Sequence, residues 1–593
     1  MRPWIAVLAA ATPLALLPLV STGSLPRPLA FVLDKGQWLV ALAIVGTAAC
    51  ALWPGQPPLL RAVDRASLFM ESRPRRALLV ASALAAFLVA TLALPDWRRV
   101  GAASGDEPKY LRIAQTLRCD LDVDIQTNRR GPLRPDDLAA NLRQLGRSSR
   151  VAVRALWRGE RPPEEHEWSL GGLAVAAWRG GVVYALGPGL PALVAVLPEP
   201  AERNPAPWAL PRPVLALLAG LFALTVAQTA ALGAEVSGSS RAGLLAASFV
   251  AASPAVFVVG YHLYPEAMAA VLLPLLARYA RRNGPPLGPA RAVALGLVAG
   301  GLPWLHVKFL PVGLVAAGFL AARLWRCRGA LVALVASVGL ALASFLLFQF
   351  SITGLLRPDA HYVRLAHEVW QGTGSAFSWK FVSGLGNALF GARDGLLVMA
   401  PALVASLLAG GRLWRRDPAT ARLLLAMAAT HWLTVSIHGG GAPGPPGRLM
   451  APVAGLLAAP LAVGMVELRS RLAFRWSVVA LVLVGVMTTA AMGREWRRTV
   501  KPYRRAVTDA TNIQQDLPAG RGGPTRALGD LARAGLLGGL IAFWARRLST
   551  DGRPRGPHRP RWHEALSYQA AAWGTVVVAA VGLQGITSLT GPG

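Results

Sequence analysis

The sequence predicts an all-α fold: a polytopic membrane protein of about 13–15 transmembrane helices, with a large outer loop bearing amphipathic surface helices. Three observations predict it. Of 593 residues, 54% are hydrophobic and 15% charged, a balance far more apolar than that of soluble domains. Apolar runs recur that match the roughly 20 helical residues needed to cross a hydrocarbon core of about 30 Å. The basic residues sit in short links between those runs, where the positive-inside rule places orienting charge.

Taken in order, Met1 to Val20 reads as a first span or uncleaved anchor, because no small-residue cleavage site follows its apolar run. Arg61, Arg65, Arg73, Arg75 and Arg76 set the next link in the cytoplasm. The span Ala77 to Leu94 then delivers Gly105, Asp106 and Glu107 to the outside, ahead of a long polar segment. Further spans include Leu331 to Phe350, Leu396 to Ala409 with its flanks, and Val478 to Met492. Each must satisfy its backbone hydrogen bonds internally and is therefore a helix.

Alternation from that first link places Arg278 to Arg282, Arg323 to Arg328, Arg412 to Arg416 and Arg469 to Arg475 inside. The link from Arg494 to Arg505 falls outside, against the rule. Val182 to Leu197 is read as re-entrant or interfacial, since counting it as a span would reverse every later assignment. A basic link, Arg546 to Arg561, precedes a last apolar run, Ala570 to Leu589. The expected organisation is N-terminal helices at 1–94, an outer loop at 95–210, a membrane core at 211–492, and a basic link with C-terminal helices at 493–593.

Formal net charge is +31. In a soluble chain that excess would point to nucleic acid. Here its placement points to membrane lipids, and no nucleic-acid partner is expected. The three cysteines, Cys50, Cys119 and Cys327, form neither a disulfide framework nor a CxxC pattern. Gly439-x-Gly441-x-x-Gly444 spells a dinucleotide fingerprint, but it lacks a βαβ context and contains Pro443. No cofactor is called for, and a divalent metal lacks support. Asp120, Asp122 and Asp124 read either as ligands for a hard cation or as a solvated acidic turn. His361 and His367 have no ligand spacing.

The unusual polar residues converge on the outer boundary. They are Asp106 and Glu107, the turn Tyr261 to Glu266, the turn Trp304 to Lys308, the loop around Asp359 and His361, and His438 to Arg448. Polar groups are costly at a membrane boundary, and one-sided clustering is what a site produces. Leu111, Ala114 and Leu117 form an apolar stripe at helical spacing, suited to a helix lying on the membrane. Asp106 at its start fits an N-cap and equally a carboxylate placed to accept a proton. His306 and Lys308 fit a cation site and equally side chains snorkelling to water. Glu266 fits an orienting carboxylate and equally a solvated turn residue.

The string Gly105-Asp106-Glu107-Pro108-Lys109-Tyr110-Leu111, followed by Asp120, Asp122, Asp124 and Asn128, resembles the GT-C superfamily of integral membrane glycosyltransferases. That superfamily includes protein O-mannosyltransferases and the lipid A aminoarabinose transferase. The resemblance continues through Tyr264-Pro265-Glu266, Trp304 to Pro311 and the Gly-rich turn ending at Arg448. In the family the acidic pair usually follows the first span, and here two additional spans precede it. The family's Gly-Pro-Arg turn is interrupted here as Gly444-Pro445-Pro446-Gly447-Arg448.

The resemblance implies transfer of a sugar, with inversion, from a polyprenyl-phosphate donor to a glycan, lipid or protein acceptor. The site would face the exterior of a bacterial-type inner membrane. Asp106 and Glu107 would be the catalytic carboxylates, Lys308, Arg448 and His306 would bind the donor phosphate, and Glu266, Tyr264 and His438 would orient substrate. A lipid-linked sugar flippase or a non-catalytic envelope assembly protein would also use many spans.

Overall fold

The computed structural model describes residues 107–120, 123–124, 150–160, 174–176, 182–184, 186–197, 212–260, 262–360, 379–390, 395–437, 447–468 and 478. Asp106, Asp122, His361, His367 and His438 lie outside the described residues, as do the expected spans Met1 to Val20, Ala77 to Leu94 and Ala570 to Leu589 and all but the first residue of Val478 to Met492.

The chain is an all-α membrane protein. Helix α1 spans Glu107–Asp120, and a two-stranded hairpin follows, β1 Ala174–Ala176 against β2 Val182–Tyr184, with Val175 opposite Val183. The helices after it are α2 Gly189–Ala195, α3 Arg212–Ser237, α4 Ser240–Ala251, α5 Pro254–Val259, α6 Pro265–Ala280, α7 Pro289–Leu305, α8 Leu310–Leu324 and α9 Arg328–Thr353. Then come α10 Trp379–Phe390, α11 Leu396–Met399, α12 Ala402–Arg416, α13 Pro418–Ser436 and α14 Ala451–Glu467. Among the described residues four helical stretches are long and apolar enough to cross a membrane: Pro213–Ser237, Val307–Leu324, Arg328–Thr353 and Arg448–Glu467.

Local chemistry marks the helix ends. Proline opens α6, α7 and α13 in their first turn, where its missing N–H costs nothing. The Ser239 side chain caps α4 by accepting from the Ala242 N–H at 3.3 Å. Asp417 caps α13 through the Thr420 N–H at 3.0 Å and its hydroxyl at 2.6 Å. Gly354 ends α9 in the left-handed region at φ 68°, its N–H closing on the Phe350 carbonyl.

The apolar run from Leu396 to Ala409 is two helices, not one span. Pro401 cannot donate to a helical ladder, and it drives Ala400 to φ −137°, ψ 68°. The stretch Val182 to Leu197 contains strand β2 and the seven-residue helix α2. Helix α1 is two-faced, with Arg112 and Gln115 exposed on the side away from its packed face. Its buried face is Tyr110, Ile113, Ala114 and Thr116, while Leu111 and Leu117 are only half-buried. That face packs on α2, and Arg118 fastens the pair by donating to the Val194, Ala195 and Leu197 carbonyls at 3.0, 3.0 and 2.9 Å. A cation is favoured at this C-terminal end of α2.

Helix α14 is the centre of the described bundle: 83% of its apolar stretch is buried, against 22% for α9. It is packed by α3, α4, α6 and α12. Small residues make this possible, among them Ala454, Gly455, Ala458, Ala459 and Ala462, all buried.

The two ends of the bundle differ in chemistry. At one end the last turns of α3, α6, α8, α12 and α14 meet. Glu235 receives Arg278 Nε at 3.0 Å and Arg281 at 2.7 Å. Arg323 donates to the Tyr279, Gly284 and Pro285 carbonyls, and Arg416 lies 3.6 Å from Glu467. The opposite end gathers the starts of α1, α6, α8 and α14.

The loop before α2 docks directly on this second end. A Cβ on Gly187 would lie 2.1 Å from the Leu305 carbonyl oxygen and 2.4 Å from that of Trp304. Gly187→Val is expected to push α2 off the end of α7 and to cost about 1–3 kcal/mol. Gly318→Ala, which meets open space inside α8, is expected to be neutral or stabilising. Apparent thermal midpoints of the two purified variants check this, and equal midpoints would remove the docking role of the glycine.

Candidate functional site

The site lies where α1, α6, α7, α13 and α14 begin or end. Glu107 opens α1 and is 1% exposed. Its Oε1 accepts from the Leu263 N–H at 2.7 Å and contacts His262 Nδ1 at 3.1 Å, with Oε2 at 3.2 Å from the same nitrogen. One carboxylate thereby ties α1 to the non-helical segment between α5 and α6. The Tyr264 N–H, bonded to the His262 carbonyl at 2.9 Å, tightens that segment.

Tyr264 is fully buried, with Tyr110 edge-on to its ring at a centroid distance of 6.4 Å. The Arg448 guanidinium carbon sits 3.9 Å from the ring centroid. A guanidinium at this distance over an aromatic face is held by the ring quadrupole. Tyr264 is therefore a platform for Arg448.

Arg448 leads a 3-10 turn, Arg448–Met450, that enters α14. Gly447 immediately before it has φ 70°, and a Cβ there would come 2.8 Å from Met399 Cβ and 3.0 Å from Ala255 Cβ. Both the backbone conformation and the space require glycine.

The turn expected at Tyr264-Pro265-Glu266 is the first turn of a helix: Pro265 and Glu266 open α6. Glu266 is buried, not solvated, and its Oε1 receives Lys308 Nζ at 2.6 Å. Oε2 accepts no hydrogen bond among the described residues. Lys308 does not snorkel to water; its side chain is 3% exposed, with Nζ 5.1 Å from the Phe309 centroid. Lys308 is thus bonded to Glu266, and Arg448 lies over the ring of Tyr264, two residues before Glu266. His306, half-buried, caps the 3-10 turn Val307–Phe309 by accepting the Lys308 N–H on its Nδ1 at 3.2 Å.

One group here was not singled out from the sequence. His431 on α13 is fully buried, bonds the Leu449 carbonyl through Nε2 at 2.8 Å, and stacks on Phe309 with centroids 5.5 Å apart and planes 7° apart. The available signal was a lone ionisable residue within an apolar helix.

Among the described residues no three His, Cys, Asp or Glu side chains form a group that could hold a metal ion. The candidate set Asp120, Asp122 and Asp124 lies mainly outside the described side chains.

The fold and the site define a membrane protein with a buried constellation of paired carboxylates and cations at one end of its helical bundle. No family model matches the chain, and no curated protein matches it either.

Proposed function

We propose that the chain is a GT-C type glycosyltransferase, moving a sugar from a polyprenyl-phosphate donor to a glycan, lipid or protein acceptor on the outer face of a bacterial-type inner membrane. The observation that carries this reading is the gathering of Lys308 and Arg448, from two separate turns, at the start of α6, where Lys308 bonds the buried Glu266 and Arg448 lies over the ring of Tyr264. Buried ionisable residues in a membrane bundle are expensive and are kept for function.

In the proposed reaction the acceptor hydroxyl gives its proton to Asp106 as its oxygen attacks the anomeric carbon. The bond from that carbon to the phosphate oxygen breaks, and the lipid phosphate leaves with the bonding electrons. Attack from the face opposite the phosphate inverts the configuration. Preformed cations lower the barrier because the leaving phosphate gains charge in the transition state. Lys308 and Arg448 supply them, and Glu266 holds Lys308 in place.

Glu107 has a different part from its neighbour Asp106. Its carboxylate is committed to Leu263 and His262, so it anchors the segment that presents Asp106.

The test is transfer in proteoliposomes with radiolabelled polyprenyl-phosphate sugars. The expected result is label on an acceptor coupled to release of free lipid phosphate. Folded protein that turns over no donor across a broad panel would overturn the proposal. Movement of intact donor across the bilayer, with no glycosidic cleavage, would make the protein a lipid-linked sugar flippase.

A further inference from the structure

His431 sits on α13, a helix that carries neither cation, yet it touches the neighbour of each. Its Nε2 meets the carbonyl of Leu449, next to Arg448, and its ring lies parallel on Phe309, next to Lys308. A carbonyl oxygen has no proton to give, so Nε2 carries the hydrogen and donates it. In a neutral ring Nδ1 is then a bare acceptor, and it has no hydrogen-bond partner among the described residues. An unsatisfied buried polar atom carries a desolvation cost that a leucine at this position would avoid. An imidazole here is explained by its two contacts together: a donor on one edge and a flat face for stacking.

From this geometry we infer that His431 is a positioning residue that locks the two cation-bearing 3-10 turns, Val307–Phe309 and Arg448–Met450, to each other. The inference rests on the glycosyltransferase reading for its catalytic consequence. Lys308 and Arg448 lie on different stretches of chain, and His431 fixes their relative placement around the donor phosphate.

Three variants separate the contacts. His431→Phe keeps the stack and loses the donor, His431→Gln keeps a donor and loses the stack, and His431→Leu loses both. The expected result in the transfer assay is a fall in kcat/KM for the lipid-phosphate donor of about 10- to 100-fold for His431→Leu, with the acceptor KM unchanged. Small misplacement of a reacting group has effects of this order. His431→Gln and His431→Phe are expected to be intermediate. Wild-type donor kinetics in His431→Leu would overturn the inference.

A second readout needs no activity, so failure of the glycosyltransferase reading is distinguishable from failure of this one. In hydrogen–deuterium exchange of the full-length protein, His431→Leu is expected to speed exchange in both turns together, with the remaining helices unchanged. Unchanged exchange in the two turns, or a uniform rise across the bundle, would reduce His431 to an ordinary packing residue.

Discussion

Lys308→Met is expected to cost about 3–5 kcal/mol of stability, the usual result of stranding one charge of a buried pair. The stranded group is Glu266, 1% exposed, which loses a partner 2.6 Å away. The measurement is the apparent unfolding midpoint of purified protein in one fixed detergent. The informative comparison is the double variant Lys308→Met with Glu266→Leu. Apolar replacement of both members of a buried pair is often neutral or stabilising, so the double variant is expected to recover most of the lost stability. It is not expected to recover transfer, because the cation that meets the phosphate is gone. A double variant both stable and fully active would remove Lys308 from the mechanism and leave the pair a packing device.

Asp106→Asn is expected to lower transfer by about 10²- to 10⁴-fold, the range a positioned general base contributes, with normal expression and folding. Asparagine keeps the shape of the side chain and its ability to cap a helix, but it cannot take up the acceptor proton. Glu107→Gln provides the contrast. The amide oxygen can still accept from Leu263, whereas the negative charge facing His262 is lost. Its expected signature is a lowered midpoint accompanied by a smaller loss of transfer. Equal loss of turnover in both variants, with both proteins stable, would merge the roles of the two carboxylates; full activity in Asp106→Asn would exclude it as the base.

Much of the architecture was legible in the sequence because the membrane restricts it. A run such as Leu331 to Phe350 has one permitted secondary structure, and it lies within α9, Arg328–Thr353. The arginine links assigned to one side, Arg278 to Arg282, Arg323 to Arg328 and Arg412 to Arg416, stand at one end of the described bundle, where several bond the last turns of neighbouring helices. The break at Pro401 was present in the letters but hidden by the apolar composition around it.

The site was legible as a set of positions more than as a set of roles. Glu107, Tyr264, Glu266, His306, Lys308 and Arg448 come to one end of the bundle, in keeping with the expectation that they share one membrane boundary. Their pairings could not be read, since Glu266 and Lys308 are separated by 42 positions and Glu107 and Leu263 by 156. Partners so distant in sequence are chosen by helix packing, which no local pattern encodes. His306 shows the limit most clearly. A cation beside a phosphate and a cap on a 3-10 turn call for the same residue type in the same turn, and its Nδ1 serves the cap.

The enclosed position of α14 has a consequence for biogenesis. This helix is wrapped by α3, α4, α6 and α12, yet all four are synthesised before it. Gly455 approaches α3 and α6 so closely that a Cβ would stand 2.7 Å from Thr229 Oγ1 and 2.8 Å from Pro274 Cγ. The earlier helices are therefore made before the helix that fills the space between them in the finished bundle. They must remain separable until residues 451–467 arrive, and Arg448, at the leading edge of that late helix, reaches Tyr264 only then. Nascent chains that end short of α14 contain Glu107, Glu266 and Lys308 without the helix on which the described bundle closes, so the site is completed only once residues 451–467 have been made.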